Sequence, residues 1–238
     1  MKLITTLQRN PLCTSADLQK LPEFSTLQST DRLLLVIPHP DDEVLGSGGL
    51  LQRAVAAGAD VRILMITSGN KWGKQALRRR EVKRAVAVCG IPAKKIIFSE
   101  LNDGLLHREQ AQIRKQLQLI LKDFVPSVVI TSDPADLHRD HAVLARVVKQ
   151  LFSKLLPAVP VYGALIHYHR FPGRRPGYNL RPPRRFLKES QWFVLWLTEA
   201  EQNLKSIAIK QYKSQLVVPL LRALMFSFNR RNEIYRLL

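Results

Sequence analysis

The chain has 238 residues, 46% of them hydrophobic, and its 37 lysines and arginines against 19 acidic residues give it a formal charge of +18. This length and composition allow a large core, and no repeat or low-complexity linker divides the chain. No run reaches about 18 apolar residues, so a membrane-spanning segment is not expected.

The cysteines and the N-terminal residues indicate the expected compartment. Cys13 and Cys89 form no ligand pair and no disulfide framework, so a reduced cytosolic setting is expected. Only a few apolar residues follow Met1-Lys2, which is too short for a signal peptide. We therefore expect a cytoplasmic protein, either soluble or peripheral at a membrane.

Strand-like and helical patterns alternate along the chain. The strand-like runs cover 33–37, 61–67, 95–99, 127–131 and 159–168, with helical patterns at 44–58, 74–89, 108–124 and 141–156. This alternation predicts an α/β fold, Rossmann-like, with a mostly parallel sheet and helices on both faces. A strand-like run at 192–197, a helix over about 199–213 and the apolar stretch from Leu216 complete the same unit. The predicted organisation is an N-terminal extension, 1–30, and a single domain, 31–238.

The first predicted strand ends in a polar hexapeptide, Pro-His-Pro-Asp-Asp-Glu at 38–43. In an open α/β sheet, the loop after a strand lies at the edge where ligands bind. Asp41 or Asp42 could be a helix N-cap, and carboxylates suit that position. Capping does not explain the presence of His39 and the second aspartate. A catalytic zinc ion would bind both residue types, and it needs about three protein ligands.

A second cluster follows a later strand-like run, Val128-Val129-Ile130. Its sequence is Asp-Pro-Ala-Asp-Leu-His-Arg-Asp-His at 133–141, and a helical pattern begins at its end. Two strand-end loops of this kind can meet at one edge of the sheet. The second cluster is therefore the expected source of the third metal ligand.

The chain resembles the LmbE-like or PIG-L-like deacetylases over roughly residues 30–235. The hexapeptide is similar to that family's first motif, and His138-Arg139-Asp140-His141 is similar to its His-x-Asp-His motif. Shorter similarities are Thr67-Ser68-Gly69, Arg78 with Glu81, Cys89-Gly90-Ile91, Leu101-Asn102-Asp103-Gly104 and Tyr212-Lys213-Ser214-Gln215. The family removes an N-acyl group, usually acetyl, from amino sugars and related glycoconjugates.

The resemblance implies that His39, Asp42 and His141 bind the metal. Two histidines and a carboxylate suit zinc, with iron (Fe²⁺) or manganese (Mn²⁺) as alternatives. Asp41 is then the expected general base, and His138 is expected to stabilise the oxyanion together with the metal. Asp140 is expected to orient a histidine from outside the ligand set, its alternative being an ordinary helix-start carboxylate.

Two further residues match family positions that face the sugar, Arg78 and Asp103. A guanidinium and a carboxylate suit the acceptors and donors of a polyol. For Arg78 the alternative is a solvated basic helix face, shared with its neighbours Arg79, Arg80, Lys83 and Arg84. Thr67 to Gly69 could merely turn the chain, and Glu43 is expected to support its loop.

The positive charge indicates polyanionic partners. Six arginines lie at 170–185 among four prolines, which predicts a long loop with Phe171 and Tyr178 packing it over the site. Arginine binds phosphate bidentately, so a lipid-linked or nucleotide-linked sugar is the expected substrate. Leu216–Phe228 could contact an anionic membrane, but Pro219 interrupts the helical pattern and packing on the core is favoured. Nucleic acid is disfavoured, because no recognised binding motif accompanies the charge.

Two functions of different classes remain as hypotheses. The first is a zinc-dependent N-deacetylase acting on an amino-sugar glycoconjugate. The alternative is a basic binding protein on a deacetylase-like scaffold that contacts nucleic acid or anionic lipid without turnover. The presence of Asp41 favours the enzyme, since a pure binding scaffold needs no general base beside the ligands.

Overall fold

The computed structural model describes residues 12–67, 69, 73–169, 171–173 and 179–238. The strands are β1 (Arg32–Ile37), β2 (Asp60–Thr67), β3 (Ile96–Leu101), β4 (Val128–Ser132), β5 (Val161–Ala164), β6 (Trp192–Trp196) and β7 (Asn232–Leu237). The helices are α1 (Ser15–Gln19), α2 (Asp42–Ala56), α3 (Gln75–Val88), α4 (Gln110–Asp123), α5 (Arg139–Leu155), α6 (Glu199–Ile209), α7 (Lys213–Leu216) and α8 (Pro219–Phe226). Short 3₁₀ turns lie at Ala93–Lys95 and Arg184–Leu187.

The seven strands form one sheet in the order β3-β2-β1-β4-β5-β7-β6. The first five strands in this order are mutually parallel, and β7 pairs antiparallel with both β5 and β6. The order reverses between β1 and β4, because the chain moves from β1 to β2 and β3 on one side and then returns to place β4 on the other. Ligands in open α/β sheets bind outside the carboxyl ends of the strands at such a reversal.

Alternate residues of the buried strands enter two separate cores. Leu33, Leu35 and Ile37 of β1 face one core, where α2, α3 and α6 cover the sheet. Leu34 and Val36 face the second core, against α4 and α5. Helices therefore cover both faces, and the predicted fold class is confirmed: a single α/β domain with a mostly parallel sheet.

Two segments differ from the predicted elements. The fifth strand ends at Ala164, so His167 lies beyond it in a loop and not in the predicted run to residue 168. The last strand, β7, was not predicted, because Glu233 and Arg236 interrupt its apolar pattern. Glu233 is nevertheless completely buried, since its carboxylate is hydrogen-bonded inside the core.

The N-terminal residues described by the structure pack on the domain. Leu18, Phe24 and Leu27 join the same core as Leu33 and Leu35 of β1. The backbone N–H of Phe24 donates to the Val194 carbonyl of β6 at 2.8 Å. The domain boundary at residue 31 stays a prediction.

Helices α7 and α8 occupy the apolar stretch from Leu216. Met225 and Phe228 are buried as expected, but Val217 is 70% exposed and Leu220 is 73% exposed. Pro219 stands at the first turn of α8, where its missing N–H costs nothing, so it starts a helix and does not interrupt one. The prediction that this stretch packs on the core therefore holds for its C-terminal half and is wrong for Val217 and Leu220.

Helix α2 is broken at Ser47, whose backbone leaves the helical region. Buried groups satisfy the polar atoms at the break. Lys205 donates to the carbonyl of Leu45 at 2.9 Å, and Glu233 accepts the N–H groups of Gly49 and Leu50 at 2.8 and 3.0 Å. Lys205 and Glu233 also pair at 2.6 Å. This ion pair joins the two halves of the helix that begins at Asp42.

Within the described ranges, none of the helices combines the length and the apolar character that a membrane span requires.

Candidate metal centre

The two polar loops meet at the reversal point of the sheet. The first leaves β1 at Pro38 and enters α2, and the second leaves β4 at Asp133 and enters α5. Both α2 and α5 begin at the carboxyl edge, so their first-turn side chains reach the same space. The sequence expectation that the two clusters share one edge of the sheet is therefore satisfied.

Three atoms form a compact triangle at this point. His39 Nδ1 lies 3.2 Å from His141 Nε2, and each nitrogen faces Asp42 Oδ2, at 3.5 and 3.3 Å respectively. Tetrahedral zinc with ligand bonds of about 2.0–2.1 Å keeps neighbouring ligand atoms roughly 3.3 Å apart. The three predicted ligands thus already have the spacing that one ion requires.

The chemistry of the donor set fits a cation as well as the spacing does. Each imidazole turns one nitrogen to the triangle and the other to a carboxylate: His39 Nε2 lies 3.1 Å from Asp140 Oδ2, and His141 Nδ1 lies 3.3 Å from Asp136 Oδ2. Carboxylates commonly hold metal-ligating histidines in this way. Two imidazole nitrogens and a carboxylate oxygen are a suitable donor set for a divalent ion, which would replace the protons that the inner nitrogens otherwise carry.

Burial and carboxylate contacts set the charges of the imidazoles. Burial lowers the pKa of His39, but the hydrogen bonds that its ring donates to the carboxylates of Asp103, Asp140 and Asp42 raise it well above its usual value. Burial likewise opposes charge on His141, while Asp42 and Asp136 bring its pKa to about 9. The surrounding carboxylates therefore favour positive charge at the triangle, either as protons on the two rings or as a cation that would replace those protons.

Asp140 makes the contact that its predicted orienting role requires. It is buried, and besides His39 it accepts the backbone N–H groups of Gly104 and Leu106 at 2.7 and 3.2 Å. The loop that follows β3 is thereby attached to the second polar loop.

Asp136, which was not predicted as a site residue, organises the second loop. One oxygen accepts the backbone N–H of His138 at 2.8 Å, and the other accepts those of Ile166 and His167 at 3.0 and 2.9 Å. Its carboxylate also faces His141. The signal that could have found it was weak: Asp136 is an aspartate within the second cluster.

His138 and His167 complete a group of four imidazoles. The ring centroid of His138 lies 4.7 Å from that of His39, and the ring of His167 lies 4.8 Å from that of His141. Burial, helped by His39 and His141, lowers the pKa of His138 to about 4, so this imidazole is neutral and can donate an N–H. His167 also forms a candidate ligand group with Asp42 and His141, whereas His169 is exposed.

Asp41 occupies the N-cap position of α2, yet its side chain makes no capping hydrogen bond. The capping explanation is therefore wrong for this carboxylate. Its oxygen instead accepts from Arg78 Nη2 at 3.0 Å. Its φ of 106° is unfavourable for a non-glycine residue, and such strain is often kept at functional sites. Burial raises the pKa of Asp41 to about 6 against the opposing charge of Arg78.

The two predicted substrate contacts line a cavity of about 290 Å³ beside the triangle. Arg78 is buried and also donates to the Pro40 carbonyl. The solvated-face explanation therefore suits the exposed Arg80, Lys83 and Arg84 and is wrong for Arg78. Asp103 lies 3.3 Å from His39 Nε2, which places it against a candidate ligand as well as the cavity. The other lining residues are His39, Pro40, Gly69, Lys74, Ser214, Gln215, Val218 and Leu221.

The remaining motif residues support the first loop. Glu43 accepts the backbone N–H of Asp41 at 3.0 Å and the hydroxyl of Tyr212, as expected of a supporting residue. Glu81 accepts both the N–H and the hydroxyl of Ser214 at 2.7 Å. The Tyr-Lys-Ser-Gln segment is thus attached to α2 and α3 and forms one wall of the cavity.

The arginine-proline loop is only partly described. Arg170, Arg174, Arg175 and Tyr178 lie outside the described residues. Phe171 is buried against Phe228, with ring centroids 5.9 Å apart.

Known proteins share the fold and part of the sequence. A diacetylchitobiose deacetylase of Thermococcus kodakarensis is 30% identical over 122 residues, covering 46% of this chain and 45% of that protein. A 1D-myo-inositol 2-acetamido-2-deoxy-alpha-D-glucopyranoside deacetylase of a Mycobacterium species is 29% identical over 163 residues, covering 55% and 53%. The solved structure of the N,N'-diacetylchitobiose deacetylase of Pyrococcus horikoshii superposes with a TM-score of 0.63 at 22% identity, covering 87% of this chain and 84% of that one.

The match to these curated relatives spans about half of their length. A family model described as PIG-L: GlcNAc-PI de-N-acetylase matches residues 34–152, which include both polar loops and all three atoms of the triangle. The chain belongs to the PIG-L (LmbE-like) family.

Proposed function

We propose that the chain is a metal-dependent hydrolase that removes an N-acetyl group from an amino-sugar glycoconjugate. The observation that carries the proposal is the triangle of His39 Nδ1, Asp42 Oδ2 and His141 Nε2, with sides of 3.2–3.5 Å, at the edge of a cavity. Membership of the family and the names of its relatives supply the reaction class. A binding protein without turnover is not favoured, because those relatives are named deacetylases.

The triangle would hold the ion, and zinc is the first choice for two histidines and one carboxylate, with Fe²⁺ or Mn²⁺ as alternatives. A divalent ion bound there would polarise the amide carbonyl and lower the pKa of water. Asp140 and Asp136 orient His39 and His141 through their outer nitrogens.

Asp41 acts as the general base in this proposal. Its carboxylate takes a proton from water as the water oxygen bonds to the amide carbonyl carbon, and Arg78 holds the carboxylate in place. Neutral His138 donates a hydrogen bond to the carbonyl oxygen as negative charge develops there. The C–N bond then breaks, the proton passes from Asp41 to the amine, and acetate leaves.

The finer proposal is that the substrate carries phosphate, in a lipid-linked or nucleotide-linked sugar. Its support is the excess of cations and the exposed Lys74 in the cavity wall. Peripheral contact with an anionic membrane belongs to the same proposal, because the apolar residues Val218 and Leu221 line the cavity beside Lys74.

Acetate release from N-acetylated sugars, nucleotide-sugars and lipid-linked sugars, with elemental analysis of the purified protein, tests the function. We expect hydrolysis of at least one N-acetyl sugar that is lost on metal removal and restored by zinc, iron or manganese. Release by no member of the panel, or release unaffected by chelation, would contradict the proposal.

The phosphate is tested separately with Lys74→Ala, and Lys94→Ala is the control because Lys94 is also exposed but lies away from the cavity. We expect Lys74→Ala to raise KM for a phosphorylated sugar by roughly tenfold, the value of one charge-assisted contact. KM for a neutral N-acetyl sugar should change little. Equal KM values for Lys74→Ala and Lys94→Ala on the phosphorylated sugar would rule out this phosphate contact.

A further inference from the structure

Exposed apolar side chains lie on three separate segments that also carry residues of the site. Leu105 is 40% exposed, Leu137 is 55% exposed, and Val217, Val218 and Leu220 are 70%, 44% and 73% exposed. We call these five residues the apolar rim. They make up half of the ten large hydrophobic residues that are exposed in the described part of the chain, the others being Leu119, Val125, Leu155, Leu204 and Ile207.

Neighbouring contacts place each rim segment at the site. Leu105 follows Gly104, whose N–H donates to Asp140. Leu137 precedes His138, whose ring contacts that of His39. Val218 itself lines the cavity. All three segments therefore lie at the carboxyl edge of the sheet, beside the cavity.

The two most exposed rim residues, Val217 and Leu220, cover little of the protein's own core. Met225 of α8 is buried, whereas Leu220 in the first turn of the same helix faces solvent. Exposed apolar residues that are scattered singly are ordinary, but a group around one opening indicates an interaction surface.

Positive charge accompanies the apolar rim. Exposed cations lie close in sequence to each segment: Arg108 after Leu105, Arg139 after Leu137, and Lys213 and Arg222 on either side of Val217–Leu220. Residues 213–226 contain no aspartate or glutamate. Exposed apolar side chains with a lysine or arginine near them in each segment complement a leaflet of anionic phospholipid, which offers acyl chains below a layer of negative headgroups.

We propose that the apolar rim is a docking surface for an anionic membrane, which brings the mouth of the cavity against the lipid headgroups. Docking in this orientation would admit a sugar held at the membrane surface and would shield the cavity from bulk water. The biological purpose of docking rests on the proposed function. The docking itself does not, because membrane binding can be measured without substrate or turnover.

The test is co-sedimentation of the full chain with vesicles of phosphatidylcholine, with and without phosphatidylglycerol. The rim variant is Val217→Ser with Leu220→Ser. Its control is Leu119→Ser with Leu155→Ser, because these leucines are 44% and 45% exposed and lie in the C-terminal halves of α4 and α5, at the opposite edge of the sheet. Circular dichroism checks that both variants are folded.

We expect the unmodified chain and the control variant to bind the phosphatidylglycerol vesicles alike and the rim variant to bind about tenfold or more weakly, as loss of two inserted side chains implies. Equal binding by both variants would overturn the proposal, because it would show that general charge attraction, and not the apolar rim, holds the chain on the vesicles. Absence of binding by the unmodified chain would also overturn it. A dimer that the rim variant converts to a monomer, without a change in vesicle binding, would assign the rim to a second copy of the chain.

These outcomes are independent of catalysis. Vesicle binding that depends on the rim, in a protein that releases no acetate from any substrate, would retain the docking surface and reject the deacetylase. Acetate release by a protein whose vesicle binding does not depend on the rim would retain the deacetylase and reject the docking surface.

Discussion

Two buried polar clusters contact α2 and differ in how their atoms are satisfied. At the break in the helix, Lys205 and Glu233 are completely buried, and each has backbone as well as ionic partners. At its N-terminus, His39, Asp42 and His141 bring three potential ligand atoms together beside a cavity. The groups of the first cluster are held by backbone as well as by each other, whereas the ligand atoms of the second cluster face one another at the edge of a cavity.

The difference separates a structural role from a chemical one. A buried pair with all its partners fixes the backbone, and losing one partner leaves an uncompensated charge. A convergent, cavity-facing set of ligands is expected to contribute to binding and turnover instead. Changes in the first cluster should therefore affect unfolding, and changes around the second should affect metal and rate.

The largest effect is expected from Glu233→Ala. The substitution removes the counter-ion of Lys205 and the acceptor of the N–H groups of Gly49 and Leu50, so we expect the free energy of unfolding to fall by about 3–5 kcal/mol. Chemical denaturation measures it. Glu189→Ala is the control, because its ion pair with Arg185 is exposed and should contribute only about 0–1 kcal/mol. A similar small loss for both variants would contradict the structural role.

Asp41→Asn is expected to give the next largest effect. It keeps the size of the side chain and removes its basicity, so turnover should fall by about 100-fold or more while the metal is retained. Acetate release under saturating substrate and elemental analysis of the same sample measure the two quantities. Undiminished hydrolysis would assign the general base to another residue.

Asp136→Asn should have a smaller effect, on metal affinity. The amide cannot accept as well from the His141 ring and the three backbone N–H groups, so the metal Kd should rise by roughly 10- to 100-fold. Competition with a chromophoric chelator measures it. Asp133→Asn is a matched control, because Asp133 is equally buried in the same loop but bonds to Ala135 and Arg236. An equal change in Kd for both variants would remove the specific role of Asp136.

The comparison also explains what the sequence could predict. His39 and Asp42 lie at the junction of β1 and α2, and His141 lies at the corresponding junction of β4 and α5. Local pattern and strand order were enough to predict that these two junctions meet, and the family resemblance indicated which residues bind the metal. The predicted fold followed from the same alternation of strands and helices. The roles of these residues stay predictions until metal and activity are measured.

Contacts between distant segments could not be predicted in this way. Asp136 meets the backbone of residues 166–167, and His167 reaches the site only because β5 ends at Ala164. The burial of Glu233 could not be predicted for a related reason. A charged residue weakens the apolar pattern of β7, and the partner of Glu233, Lys205, lies 28 residues earlier on α6. The exposure of Leu220 likewise depends on how α8 packs, which its apolar sequence did not reveal.

The most direct test of the metal centre is the metal content of three proteins purified in parallel: the unmodified chain, His141→Ala and Asp41→Asn. After loading with zinc and removal of excess ion, we expect about one zinc per chain in the unmodified protein and in Asp41→Asn, and almost none in His141→Ala. Circular dichroism confirms that His141→Ala is folded. Equal zinc in folded His141→Ala and in the unmodified chain would contradict the assignment of the triangle as the metal site.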